Sequence, residues 1–167
     1  ISVEIKLLGN MGCILPSFGL WEEYRDLVDY QEYTKATEYW NTEDPLIMDL
    51  VSQLKDKSKE ASDYITNAFK FVNKNINYYP NSYRDSAAKA LEALEGDCSE
   101  FSDLFISLLR AAGIPAKSVM GWTLDLRKEE LQPHQWCEFY SPNYDWIQCD
   151  PTNGFLTGVS SQQICRQ

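Results

Sequence analysis

Apolar residues recur at helical spacing through the first two thirds of the chain and at a spacing of two afterwards. Asp44 before Pro45 predicts an N-cap with proline at the first helical position. Leu46, Ile47, Leu50, Val51 and Leu54 then mark one face of a helix. Residues 58–75 predict a second helix with Ala61, Ile65, Ala68, Phe69 and Val72 on one side. A turn at Pro80-Asn81 leads to a short helix over residues 86–95, which Gly96 is expected to stop. The clearest helix covers residues 97–112. Asp97 is its natural N-cap, Glu100 completes a capping box, and Phe101, Leu104, Phe105, Leu108 and Leu109 build a broad apolar face. Gly113 and Ile114-Pro115 end it.

Past Pro115, residues 117–124, 133–140 and 144–149 predict strands, and Ser141-Pro142-Asn143 forms a tight turn between the last two. Helices first and strands later predict an α+β fold, with helices layered on an antiparallel sheet. Residues 1–40 follow neither period. Within them, 1–8 alternate weakly, as an edge strand does, and 9–19 have loop composition. Residues 21–40, dense in aromatic and acidic side chains, fit helix and strand equally. The expected organisation is an N-terminal extension over 1–40 and a main domain over 41–167.

Composition narrows the function classes. The 167 residues carry 15 basic and 25 acidic side chains, a formal charge of −10, and 44% are apolar. That is too apolar for a disordered chain and too acidic for nucleic acid as the main partner. The longest apolar stretch, near residues 104–109, ends at Arg110, well short of the ~20 residues that cross a bilayer. The start at Ile1, without a basic leader, is expected of a mature domain or an excised piece. A single histidine excludes a two-histidine zinc site, and none of the five cysteines forms a C-x-x-C pair. Neither a metal nor a cofactor is expected.

Three residues make a chemical set. Cys98 falls at the first helical position after the Asp97 cap, where free backbone N–H groups and the helix dipole favour a thiolate. By position alone, the commoner fate of a free cysteine is a small buried hydrophobe. His134 opens the second strand, and Asp150 ends the third, before Pro151. Taken singly, one is an ordinary histidine and the other a turn-forming aspartate. A register centred on the Pro142-Asn143 turn pairs Trp136 with Asp150. It sets His134 diagonally beside Asp150, with Cys137 and Cys149 facing the other way. Nucleophile, base and orienting carboxylate then follow in the order Cys98, His134, Asp150.

These residues stand in a recognisable frame. Gly96-Asp97-Cys98-Ser99-Glu100-Phe101, the segment from Leu104 to Lys117, His134-Gln135-Trp136, and Trp146 through Asp150-Pro151-Thr152 together resemble the core of the transglutaminase-like superfamily. The resemblance covers roughly residues 44–155. It implies a papain-like fold and a catalytic domain over 41–167, with Cys98 as nucleophile, His134 as base and Asp150 as third member. It also implies a protein or peptide substrate and a thioester intermediate. A hydrolase of the cysteine peptidase or amidase type is the leading expectation. The alternatives are glutamine-to-lysine crosslinking and a non-catalytic binding module. The sequence departs from the usual GIPAR at Lys117, and no calcium-binding loop stands out. The oxyanion donor is open among Tyr78, Tyr79, Tyr83 and the backbone.

Trp136 and Tyr79 are expected to bind substrate; Trp122, Trp136 and Trp146 could instead serve as core. Residues 126–131 read as a solvated loop, or one that covers the cleft. Cys137–Cys149 and Cys13–Cys165 could be two disulfides, as suits an extracytoplasmic protein, or four reduced thiols, as suits a cytosolic one. Compartment and oligomeric state stay open.

Overall fold

The fold comes from a computed structural model that describes residues 17–80, 82–125, 129–160 and 163–165. The expected strand over 1–8, most of the loop after it, Cys13 and residues 126–128 lie outside the described residues. So does the side chain of Cys165, and with it the Cys13–Cys165 pairing.

Residues 17–40 form a short helix α1 (Trp21–Arg25), a 3-10 segment (Val28–Thr34) and irregular chain. Neither a long helix nor a strand runs through them. They pack into the same core as the rest: Phe18 and Tyr24 are buried there. The Tyr24 hydroxyl donates to the carbonyls of Phe18 at 2.7 Å and Tyr140 at 3.1 Å. Ser141 Oγ donates to Phe18 O at 2.8 Å, and Arg110 Nη1 to Lys35 O at 2.7 Å. The aromatic residues of this segment answer to distant partners, which is why no local period governs them.

The capped helices form where their caps place them. Asp44 Oδ1 accepts from Leu46 N at 2.9 Å and starts α2 (Pro45–Asp56). α3 (Ala61–Asn75) begins three residues later than its period suggests, because Asp63 Oδ2 accepts from Lys59 N and Glu60 N and holds both residues outside the helix. A two-residue strand β1 (Asn77–Tyr78) pairs in parallel with β2 (Glu95–Gly96). Between them lies α4 (Ala87–Ala93), which stops at Leu94 in the left-handed region (φ 55°) rather than at Gly96. α5 (Cys98–Ala111) ends at Gly113 (φ 89°), with Gly113 N donating to Arg110 O and Ile114 N to Leu109 O.

The main sheet contains β3 (Ala116–Asp125), β4 (Glu130–Ser141), β5 (Asp145–Cys149) and β6 (Gln163–Cys165), all antiparallel in the order β5-β4-β3-β6. β4 takes Glu130 and Leu131 from the stretch expected to be loop. β5 pairs Tyr140 with Trp146 and Cys137 with Cys149; one step further sets Trp136 opposite Asp150. The register drawn from the turn is thus the observed one. The Cys137 and Cys149 thiols face each other at 3.3 Å as buried free cysteines.

α5 lies between the sheet and the other helices. Phe105 meets Phe69 of α3 at 5.6 Å and Phe139 of β4 at 6.4 Å, both edge-on. The helix also carries wholly buried Asp103. This carboxylate accepts from Arg84 Nε and Nη2 at 2.7 Å each, Trp40 Nε1 at 2.8 Å and Gln135 Nε2 at 2.9 Å. Among the described residues, no helix is long and apolar enough to cross a membrane.

Candidate active site

The first turn of α5 is held from several sides. Asp97 Oδ1 accepts from Ser99 N at 2.7 Å. Glu100, almost wholly buried, accepts from Asp97 N through Oε2 and from Asp85 N through Oε1, each at 2.8 Å. A side chain on Gly96 would run into the Glu100 methylenes, so a bare backbone is needed there. These contacts fix the backbone that presents the Cys98 thiol, itself partly exposed at the helix N-terminus.

His134 projects from β4 with its Nε2 2.8 Å from Asp150 Oδ2. That bond leaves Nδ1 as the nitrogen for the Cys98 thiol. Burial alone pushes the imidazole pKa down, but hydrogen bonds to Asp150 and to Cys98 outweigh it and raise the value to about 9. Cys98 and His134 line one cleft of about 280 Å³ with Met120 and Pro133.

Asp150 is wholly buried, which by itself raises a carboxyl pKa. Hydrogen bonds from His134 and Asn153 overcome this and hold it below the usual carboxylate range. Asn153 Nδ2 donates to Oδ2 at 2.8 Å, and Gln163 Nε2 of β6 donates to the same oxygen. The backbone amides of Thr152 and Asn153 donate to Oδ1 at 3.0 and 3.1 Å.

The structure brings Cys98, His134 and Asp150 together. It places the other two expected site residues differently. Trp136 is wholly buried, its ring stacked 6.0 Å from the His134 ring. It backs the imidazole and has no surface left for a substrate. Tyr79 is 57% exposed, and its amide donates to Gly96 O at 2.9 Å, so it stands beside the start of α5. Neighbouring Tyr78 pairs with Gly96. Burial, then the negative charges of Cys98 and Asp97, raise its phenol pKa.

Sequence reasoning passed over Asn153, Gln163, Asp103 and Gln135. Asn153 carried a usable signal: three residues after Asp150 in a turn, it can return its side chain to that aspartate. Gln163 and Asp103 carried none, since they meet the site only through tertiary folding. Gln135 follows His134 and ties β4 to α5 through Asp103, with a weaker bond to Ser99 O at 3.4 Å.

Residues 48–151 match the family model of the transglutaminase-like superfamily. The chain belongs to that superfamily. Members of the transglutaminase-like superfamily are typically cysteine enzymes, as the partly exposed Cys98 beside His134 would suggest. The chain is 35% identical over 114 residues to YebA, an uncharacterized protein of Bacillus subtilis (strain 168), covering 60% of this chain and 15% of that protein. It is 32% identical over 65 residues to a protein-glutamine gamma-glutamyltransferase of Pseudomonas aeruginosa, covering 34% of this chain and 10% of the relative. It therefore spans only a small part of each of these relatives.

The fold is similar to that of a Cytophaga hutchinsonii protein proposed to be a cysteine protease. There the TM-score is 0.68 at 22% identity, over 84% of this chain and 47% of the other. The periplasmic domain of TgpA from Pseudomonas aeruginosa has a TM-score of 0.58 at 22% identity, over 75% of this chain and 48% of that domain. At such identities the likeness is one of fold, and it agrees with the papain-like α+β architecture.

Proposed function

We propose that this chain is a thiol-dependent acyl-transfer enzyme acting on protein or peptide amide bonds, with Cys98 as nucleophile, His134 as base and Asp150 as orienting carboxylate. One observation carries the reading: a single imidazole, bonded to a buried carboxylate at 2.8 Å, lines one open cleft with the Cys98 thiol. His134 holds the thiol proton, and the Cys98 sulfur attacks the amide carbonyl. Backbone N–H groups at the α5 N-terminus face the oxyanion that forms. Protonated His134 then delivers its proton to the leaving amine and the C–N bond breaks, leaving a thioester on Cys98. His134 next removes a proton from the acceptor, and collapse of the second tetrahedral adduct frees the thiol. Asp150 keeps the imidazole in the required tautomer throughout. Tyr79, exposed beside the helix start, is assigned to hold substrate.

Water is the favoured acceptor. The thiol is partly exposed in its cleft, where water reaches a thioester carbonyl. A second reading, transfer to a lysine amine, is favoured by the Pseudomonas aeruginosa relative, which is named a glutamine gamma-glutamyltransferase.

Incubation with a glutamine-containing protein, with and without a primary amine, separates these outcomes by mass spectrometry. Backbone cleavage or deamidation is expected, absent in Cys98→Ala. Amine incorporation would establish the second reading instead. An unchanged substrate across several proteins, with wild type and variant alike, would overturn both.

A further inference from the structure

The sheet outruns the helix that covers it. Cross-strand partners share a face, so the pairs Ala116–Phe139 and Ser118–Cys137 look toward α5. The pairs Met120–Gln135, Trp122–Pro133 and Leu124–Leu131 continue the same face. Ala116, Phe139 and Cys137 are buried in the core. α5 begins at Cys98, level with Gln135, whose Nε2 reaches Ser99 O. Among the described residues no helix covers the strands beyond that level, and their helix-side residues stay apolar. Met120 is 54% exposed, Trp122 42% and Leu131 52%. Solvent-facing strand positions are ordinarily polar, and contiguous exposed apolar residues mark a binding surface. This shelf starts inside the cleft, since Met120 and Pro133 line it with Cys98 and His134.

We infer that the shelf formed by Met120, Trp122, Leu131 and Pro133 is a specificity subsite that takes a large aliphatic or aromatic side chain adjoining the amide attacked by Cys98. The inference deepens the proposed function and rests on it. The occupant is an extended peptide segment, because the shelf is continuous with the thiol and runs away from it along the strands. Its outer end is the Leu124–Leu131 pair, which is apolar and offers no partner for a charged side chain. The substrate class is therefore a peptide or protein with a neutral apolar residue beside the scissile amide.

Alkylation of the intact protein tests the shelf without a known substrate. N-(2-phenylethyl)iodoacetamide and the neutral polar N-(2-hydroxyethyl)iodoacetamide are compared at Cys98 by mass spectrometry, and their rate ratio is divided by the ratio for N-acetylcysteine. The wild-type value is expected to be about ten, the scale of burying one ring's apolar surface. Trp122→Ser and Met120→Gln are each expected to lower it several-fold. A wild-type value near one would overturn the subsite. Plain iodoacetamide tests the underlying reading separately. If Cys98 reacts no faster with it than N-acetylcysteine does, and His134→Ala changes nothing, the catalytic reading fails whatever the ratio shows.

Discussion

Two carboxylates are withdrawn from solvent on the two faces of β4. Asp103, on the α5 side, is bound by Arg84, Trp40 and Gln135; Asp150, on the other face, by His134, Asn153, Gln163 and two backbone amides. Both are wholly buried and both have several donors. They differ in the charge they face. The guanidinium of Arg84 stays protonated across any working pH, so Asp103 sits in a network that cannot change state. The imidazole of His134 titrates at about 9, so Asp150 stabilises a proton that can move. Burial and hydrogen-bond count would have ranked the two alike. The titratable partner, lining the same cleft as a thiol, is what assigns one of them to the proposed reaction centre and leaves the other an anchor.

That contrast can be broken in several ways. His134→Ala is expected to lower kcat/KM on any accepted substrate by roughly 10³–10⁴-fold, the scale of losing a triad member. At pH above about 9, where protonated His134 no longer contributes, its unfolding midpoint should change far less than that of an Asp103 variant, and equal losses of stability there would erase the distinction. Asp103→Ala strands Arg84, Trp40 and Gln135 together. It is expected to cost about 3–5 kcal/mol in urea unfolding. A cost below about 1 kcal/mol would make the inner network dispensable.

Asp150→Asn tests the proton. The folded-state pKa of His134 lies above its unfolded value, so the stabilisation it provides is complete below pH 6.5 and is lost as pH rises to about 9. Wild-type stability is therefore expected to fall across that window by on the order of 3 kcal/mol, and the alkaline limb of activity to lie near 9. In Asp150→Asn the stability curve should flatten and the limb move to lower pH. An unmoved limb would detach it from the His134–Asp150 pair. Asn153→Ala removes one of several donors to Asp150 and should have the smallest effect, about 1 kcal/mol of stability and a slight acid shift of the same limb. A shift as large as that of Asp150→Asn would make Asn153 an equal partner.

Cys98, His134 and Asp150 were legible because each sits at a position with local grammar. A capping box marks the start of α5, and a three-residue turn fixes the register of β4 on β5. The orientation of Trp136 was legible too, but not its burial: alternation says which face a side chain takes and is silent on what covers that face. β1, β2 and β6 were not legible, since two or three residues show no period and their pairing partners are remote. Residues 17–40 were unreadable for a related reason. Tyr24 bonds to Tyr140 116 residues away and Arg110 to Lys35 75 residues away, and no local pattern encodes either.

By itself the sequence determined the starts of α2 and α5, the order of helices before strands, the pairing of β4 with β5 and the three residues of the proposed reaction centre. Caps, turns and side-chain periods act over a few residues and so are written in consecutive letters. Tertiary structure alone decided that Asp103 locks Gln135, that Gln163 returns to Asp150, and that the sheet extends past α5 to leave Met120, Trp122 and Leu131 uncovered beside the thiol. Those outcomes depend on where one element stops relative to another in space, and contacts between segments far apart in the chain exist only once the whole core has closed.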